Sequence, residues 1–349
     1  MKRFWVIPVL MLAACQSESA ESEPVNADKK DTAKEEKESP VPSYELLTND
    51  GMIPVEELEK LEADVEVNDI HRTIDVTAGE NLYRFIEGVP VMEENGLYYP
   101  LPANPVEAAE SPSFSPAAVE EMLGAELIES EAGYETTAVF SKERSGEEPP
   151  DLDSMTVEEM SEHLSFLDYA IEDASVSTIE GHLPGAPREY RNGFHEGIDY
   201  YGYASGTGID TTTEVLGMAE GVVVRADTEF EDYASEEERN EELAVAAEAE
   251  ETPEYILDRL RGMQVWVQYD NGVMIRFAHL HDIAEGIETG VEITSETVIG
   301  YVGNSGTSSA LEGESGDLHL HKDLLVYGDF FWEPFSLEET SQILQNVWP

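Results

Sequence analysis

The chain has 349 residues, 41% of them hydrophobic, enough for a sizeable core and for more than one domain. Asp and Glu number 76 against 19 Lys and Arg, a formal net charge of -57. Such a surface repels nucleic acid and anionic lipid, which excludes polyanion binding, and its self-repulsion is relieved at high ionic strength.

Met1, Lys2 and Arg3 open the chain with positive charge, residues 4–12 are apolar, and Leu12-Ala13-Ala14-Cys15 follows. That is the layout of a secretory signal. The apolar run falls short of the roughly 20 residues of a membrane span. Its ending resembles a bacterial lipobox, which implies cleavage after residue 14 and a lipid on Cys15. Cys15 is the only cysteine, so no internal disulfide can form. The mature chain is then expected in the cell envelope. Cys15 would anchor it to the outer face of the cytoplasmic membrane, or to an outer membrane if the host has one. Residues 15–42 are polar, charged and proline-containing, and read as a disordered acidic tether.

Residues 43–140 read as a small α+β module. Helical spacing covers 55–63 behind Pro54, strand-like runs cover 73–76, 82–86 and 89–92, and Glu93-Glu94-Asn95-Gly96 is a turn signal. Residues 97–99 return as a strand, 117–123 as a helix, and 125–128 and 136–140 as short strands. No chemistry is assigned to this module, and His71 reads as a surface or packing residue. Residues 141–190 read as a linker, containing Pro149-Pro150, and a helix over 156–171. His163 and His182 lack partners at ligand spacing and read as ordinary.

From 191 to 336 short strands alternate with glycine turns, the pattern of a mainly antiparallel β fold. Gly221-Val222-Val223-Val224 is a buried-strand run. Residues 265–269, Asp270-Asn271-Gly272 and 273–277 form a hairpin signal. The acidic, alanine-rich stretch at about 229–262 reads as a helical insertion with a solvated charged face. Residues 337–349 read as a C-terminal tail.

Five of the eight histidines fall in this β region. His195 and Asp199 are four apart, His279 and His281 follow Phe277-Ala278, and His319-Leu320-His321 lies in a strand-like run. In an extended strand His319 and His321 point to the same side. A catalytic zinc needs three N/O ligands and an open position. His195, Asp199 and one histidine of the closing pair meet that need. His279 and the other member of the pair suit proton transfer beside the open position.

Taken together, Asn192-Gly193-Phe194-His195-Glu196-Gly197-Ile198-Asp199, Phe277-Ala278-His279-Leu280, Gly300-Tyr301-Val302-Gly303-Asn304-Ser305-Gly306 and His319-Leu320-His321 resemble the lysostaphin/LytM-type zinc metallopeptidases. The resemblance covers about 140 residues. It implies zinc held by His195, Asp199 and His321, with His279 and His319 as the catalytic pair. The fold implied is an antiparallel β-sheet metallopeptidase of duplicated hairpins. The activity implied is endopeptidase cleavage of peptidoglycan stem peptides or cross-bridges. A non-catalytic scaffold or activator of another wall hydrolase is the alternative. Lys322-Asp323 departs from the family pattern, but Asp323 keeps a carboxylate on the ligand face, where it can orient a histidine. A structural zinc would need a fourth protein ligand, for which only His279 or His319 is at hand.

Overall fold

The strand that carries the paired histidines, His319–Val326, is buried along its whole length. A strand buried on both faces needs neighbours on both edges and cover above and below. In the computed structural model it lies inside a seven-stranded antiparallel sheet. Its neighbours are Gly197–Tyr201 on one side and Val273–Ala278 on the other. Val265–Tyr269, Gly221–Ala226 and Glu292–Ile293 continue the sheet beyond Val273–Ala278, and Asp329–Phe330 adds a short pairing to the histidine strand. A second sheet is built from Glu214–Leu216, Val298–Val302 and Leu280–Ile283. The fold is mainly antiparallel β with helical parts, as the sequence predicts. The described residues are 42–349 except 103, 109, 110, 314 and 315. The signal run, Cys15 and the tether up to residue 41 lie outside them.

The hairpin expected around Asn271-Gly272 forms, with both residues at positive φ (58° and 71°), the combination of a type I′ turn. Asn95 and Gly96 do the same at 52° and 85°. Gly96 has a second constraint, because a Cβ there would overlap the backbone of Tyr327.

The N-terminal module is a five-stranded meander in sequence order: Asp64–Asn68, Thr73–Ala78, Asn81–Ile86, Val91–Glu94 and Leu97–Pro100. Its own core gathers Leu46, Ile53, Phe85, Phe114 and Val119, with Phe85 edge-on to Phe114 at 5.3 Å. A separate apolar cluster joins Val89, Val91 and Tyr98 of the module to Trp266, Met274 and Leu325 of the large sheet. Leu325 follows Asp323 by two residues, so it lies on the face that carries His319 and His321. The module therefore covers one end of that face and leaves the histidine end to the groove described below.

Several expected elements differ. The segment expected as helix over 55–63 is a 3₁₀ helix, Val55–Leu61, ended by Glu62 at positive φ. The helix expected over 156–171 stops at Leu164; the chain then turns so that Asp168 N–H bonds to Met218 O. Strands expected at 125–128 and 136–140 appear as Ile128–Glu129 and Gly133–Thr136, the latter paired with Tyr44–Leu47. The stretch 337–349, expected as a tail, contains the helix Leu337–Val347, started by a Ser336/Glu339 capping box. It buries Ile343, Leu344 and Trp348 in the main core, and that apolar face fixes it as structure.

Candidate metal centre

Strand register assembles the site. Asp199 pairs across from His321, Tyr201 from His319 and Gly197 from Asp323. Directly opposed residues share a face, so one carboxylate and two imidazoles meet on one side of the sheet. His195 joins from the turn preceding Gly197–Tyr201, its backbone N–H bonded to Ala186 O at 2.7 Å.

Three atoms converge. His195 Nε2 lies 3.1 Å from Asp199 Oδ1 and 3.2 Å from His321 Nδ1, and His321 Nδ1 lies 2.9 Å from Asp199 Oδ1. A tetrahedron of zinc–ligand bonds of about 2.0–2.1 Å has edges of about 3.3 Å. The triangle of donors is thus close to the size of one face of a zinc tetrahedron. His195, Asp199 and His321 are all buried, and they form the one cluster of three potential ligands among the described residues. Three protein donors is the count of a catalytic zinc; structural zinc takes four.

Each histidine is held by its other nitrogen, which fixes its tautomer. His195 Nδ1–H donates to Leu183 O at 3.0 Å, leaving the Nε2 lone pair for a metal. His321 Nε2–H donates to Asp323 Oδ1 at 2.6 Å, leaving Nδ1. Asp323 in turn accepts from Arg261 Nε at 2.6 Å on its other oxygen. Asp323, expected on the ligand face, is two residues beyond His321 on that face of the strand, with its Oδ1 on the His321 ring. Burial works against its charge, but Arg261 and His321 hold its pKa well below the usual carboxylate range.

The two remaining histidines are treated differently. His279 Nδ1–H donates to Ser305 O at 2.7 Å, and His319 Nδ1–H to Asp317 O at 2.6 Å. Nε2 is then the free nitrogen of each, and that of His319 stands 3.8 Å from Asp199 Oδ1. Burial depresses both pKa values below 6.5, that of His279 well below, with charge on neighbouring histidines acting the same way and Asp199 opposing it. Both rings are therefore neutral at pH 7 and able to accept a proton.

One loop places both rings. Gly303 O accepts the His319 N–H at 3.1 Å, Ser305 O holds the His279 ring, and Ser305 Oγ donates to Leu280 O at 2.8 Å. A Cβ on Gly303 would overlap the backbone of His281. His279 itself has φ +57°, unusual for a residue with a side chain and typical of functional sites. His281 is exposed and does not share the site.

All five residues, His195, Asp199, His279, His319 and His321, line a groove of about 210 Å³. The insertion borders it: Arg239 comes from the helix Glu236–Glu248, and Leu257 and Leu260 from the helix Glu254–Leu260. No described residue of the N-terminal module lines it. His71 is half-buried beside the exposed Glu251, and His163 bonds to Asn271 O at 3.0 Å. Lys322 points away from the ligand face, with Nζ 3.7 Å from the centroid of the Trp348 ring.

Sequence reasoning missed three contributors. Tyr201 stacks on His319 with ring centroids 4.3 Å apart, and its position two residues after Asp199 was the available signal. His182, expected to be ordinary, is buried, bonds to Ser177 Oγ at 2.9 Å and to Tyr203 OH at 3.1 Å, and lies over Tyr201. Arg261, the anchor of Asp323, carries no local signal.

No family model and no curated protein matches the chain. Among solved structures it is similar to a zinc-containing peptidase from Vibrio cholerae, at 11% identity and TM-score 0.31 over 74% of this chain and 48% of that one. It is also similar to the catalytic domain of the prophage-encoded M23 protein EnpA from Enterococcus faecalis, at 17% identity and TM-score 0.29 over 48% and 95%. A third is the catalytic domain of lysostaphin from Staphylococcus simulans, at 15% identity and TM-score 0.25 over 51% and 90%. The chain spans less than half the length of the first of these.

Proposed function

We propose that this chain is a zinc-dependent endopeptidase that cuts peptide bonds of peptidoglycan, held in the cell envelope by a lipid on Cys15. The observation that carries the reading is the donor triangle of His195, Asp199 and His321, facing a groove that also presents two neutral histidines. Zinc bound there would lower the pKa of a coordinated water and polarise a substrate carbonyl. The protein's own contribution is positional. Leu183 O and Asp323 each bind the far ring nitrogen of a ligand histidine and so keep the metal-facing nitrogens aimed. Ser305 O and Asp317 O keep the His279 and His319 lone pairs on Nε2, where one ring can take a proton from the nucleophile and later return it to the leaving amine. The protonated ring would steady the oxyanion by charge. Sequence order, Cys15 and the polar tether support delivery to the wall outside the cytoplasmic membrane.

Purified mature protein loaded with one zinc should release muropeptides from isolated walls, detected by mass spectrometry. His321→Ala should lose both metal and activity. His279→Ala should keep metal and lose hydrolysis by about 10²–10⁴-fold. Full hydrolysis by His321→Ala would overturn the assignment.

A further inference from the structure

With acidic residues in such excess, a cation that lacks a carboxylate partner stands out. Most described arginines have one: Arg84 bonds to Asp75, Arg191 to Glu196, Arg225 to Asp227, and Arg259 to Glu238. Arg239 has none among the described residues, and its Nε donates to Gly306 O at 3.1 Å. Arg188 donates to Gly181 O at 2.7 Å and reaches only the ligand carboxylate Asp199, at 3.9 Å. Arg261 spends Nε on Asp323, while its buried Nη2 has no hydrogen-bond partner. All three line the groove of the metal centre.

One guanidinium without a carboxylate partner, Arg239, and two with donors to spare, Arg188 and Arg261, are suited to a carboxylate, whose two oxygens match the planar fork. Leu257 and Leu260 add an apolar wall to the same groove, where charge-assisted contacts strengthen. Resting on the peptidase reading, we propose that the groove selects peptides carrying a free carboxylate near the bond presented to the metal. Arg239 and Arg188 receive that carboxylate, and Arg261 Nη2 supplies a buried donor. A neutral peptide of the same shape leaves these donors unpaired, and the lost contacts weaken binding by about tenfold or more.

The test uses the mature zinc-loaded chain and two dye-labelled, alanine-based peptides that differ only in Glu against Gln. Binding is read by fluorescence anisotropy at fixed ionic strength, in the His279→Ala background so that turnover does not interfere. The Glu peptide should bind at least tenfold tighter. Arg239→Gln and Arg188→Gln should each erase most of that preference, with zinc content unchanged in Arg239→Gln. Equal affinity for the two peptides overturns the proposal, as does a preference that survives both substitutions. Binding of inorganic phosphate in place of the Glu peptide also overturns it, in favour of a phosphate-bearing polymer. An arginine-dependent preference, found alongside a zinc-loaded wild-type chain that releases nothing from isolated walls, would leave this inference standing and remove the peptidase reading. Hydrolysis indifferent to Glu or Gln would do the reverse.

Discussion

Zinc and a proton compete for His321. Its Nδ1 faces Asp199 Oδ1 at 2.9 Å, and its Nε2 faces Asp323 Oδ1 at 2.6 Å. Burial opposes a charged ring, but the two carboxylates outweigh it and raise the pKa from 6.5 to about 9. In metal-free protein at pH 7 the ring therefore carries a proton on the nitrogen a metal needs. A gap of about two pH units costs zinc a factor of about 100, or about 2.7 kcal/mol at about 1.36 kcal/mol per unit. Apparent zinc affinity should rise about tenfold per pH unit from 7 towards 9 and level off above. The folded-state pKa is raised, so this group's contribution to the stability of the metal-free protein is complete below about pH 6.5 and fades as pH rises through about 9. The assay is a competition titration against a chelator of known pH dependence, repeated with Asp323→Asn. Asparagine can still accept the His321 N–H but withdraws the charge. The slope should flatten, and above about pH 9 zinc should bind about 10–100-fold more weakly. A flat wild-type curve, or an unchanged slope in the variant, would refute the coupling of Asp323, His321 and metal.

Gly303→Ala should push the loop off His281 and displace both His279 and His319, lowering stability by about 1–3 kcal/mol and hydrolysis by more than tenfold; thermal unfolding and muropeptide release measure the two, and unchanged values would show that the loop yields. Lys322 is fully buried with no carboxylate partner among the described residues, and burial holds its pKa well below the ordinary value. Lys322→Met should therefore stabilise by about 1–3 kcal/mol in a denaturant titration, and a loss of stability would mean that the Nζ contacts with Trp348 and Tyr200 outweigh desolvation. The net charge of -57 predicts an unfolding temperature that falls as salt is withdrawn from about 1 M to about 0.05 M; a midpoint indifferent to salt would show that the charges are spread too thinly to repel.

The site was legible because strand geometry is local. A period of two puts His319, His321 and Asp323 on one face whatever surrounds them, and four residues carry the chain from His195 to Asp199 in the middle of the neighbouring strand. The Asn-Gly turns were legible for the same reason, since their positive φ angles belong to the residues themselves. What failed was non-local. Gly133–Thr136 is a strand because Tyr44–Leu47, far away in sequence, offers it an edge. Arg261 matters because the insertion returns the chain beside Asp323, which no local pattern encodes.

The unread helix and the odd lysine turn out to be one omission. If His319, His321 and Asp323 take one face of the strand, then Leu320, Lys322 and Leu324 take the other. An unbroken buried strand requires something apolar to cover that second face. The cover includes Leu344 and Trp348, which share a core with Leu320 and Leu324, and Trp348 presents its ring to Lys322 Nζ. Reading the last thirteen residues as a tail left the strand's far face bare, and with it the surroundings of Lys322. The metal face and its support are thus coupled through one strand. A change in the C-terminal helix should reach the ligands through the packing of Leu320 and Leu324, without touching the groove.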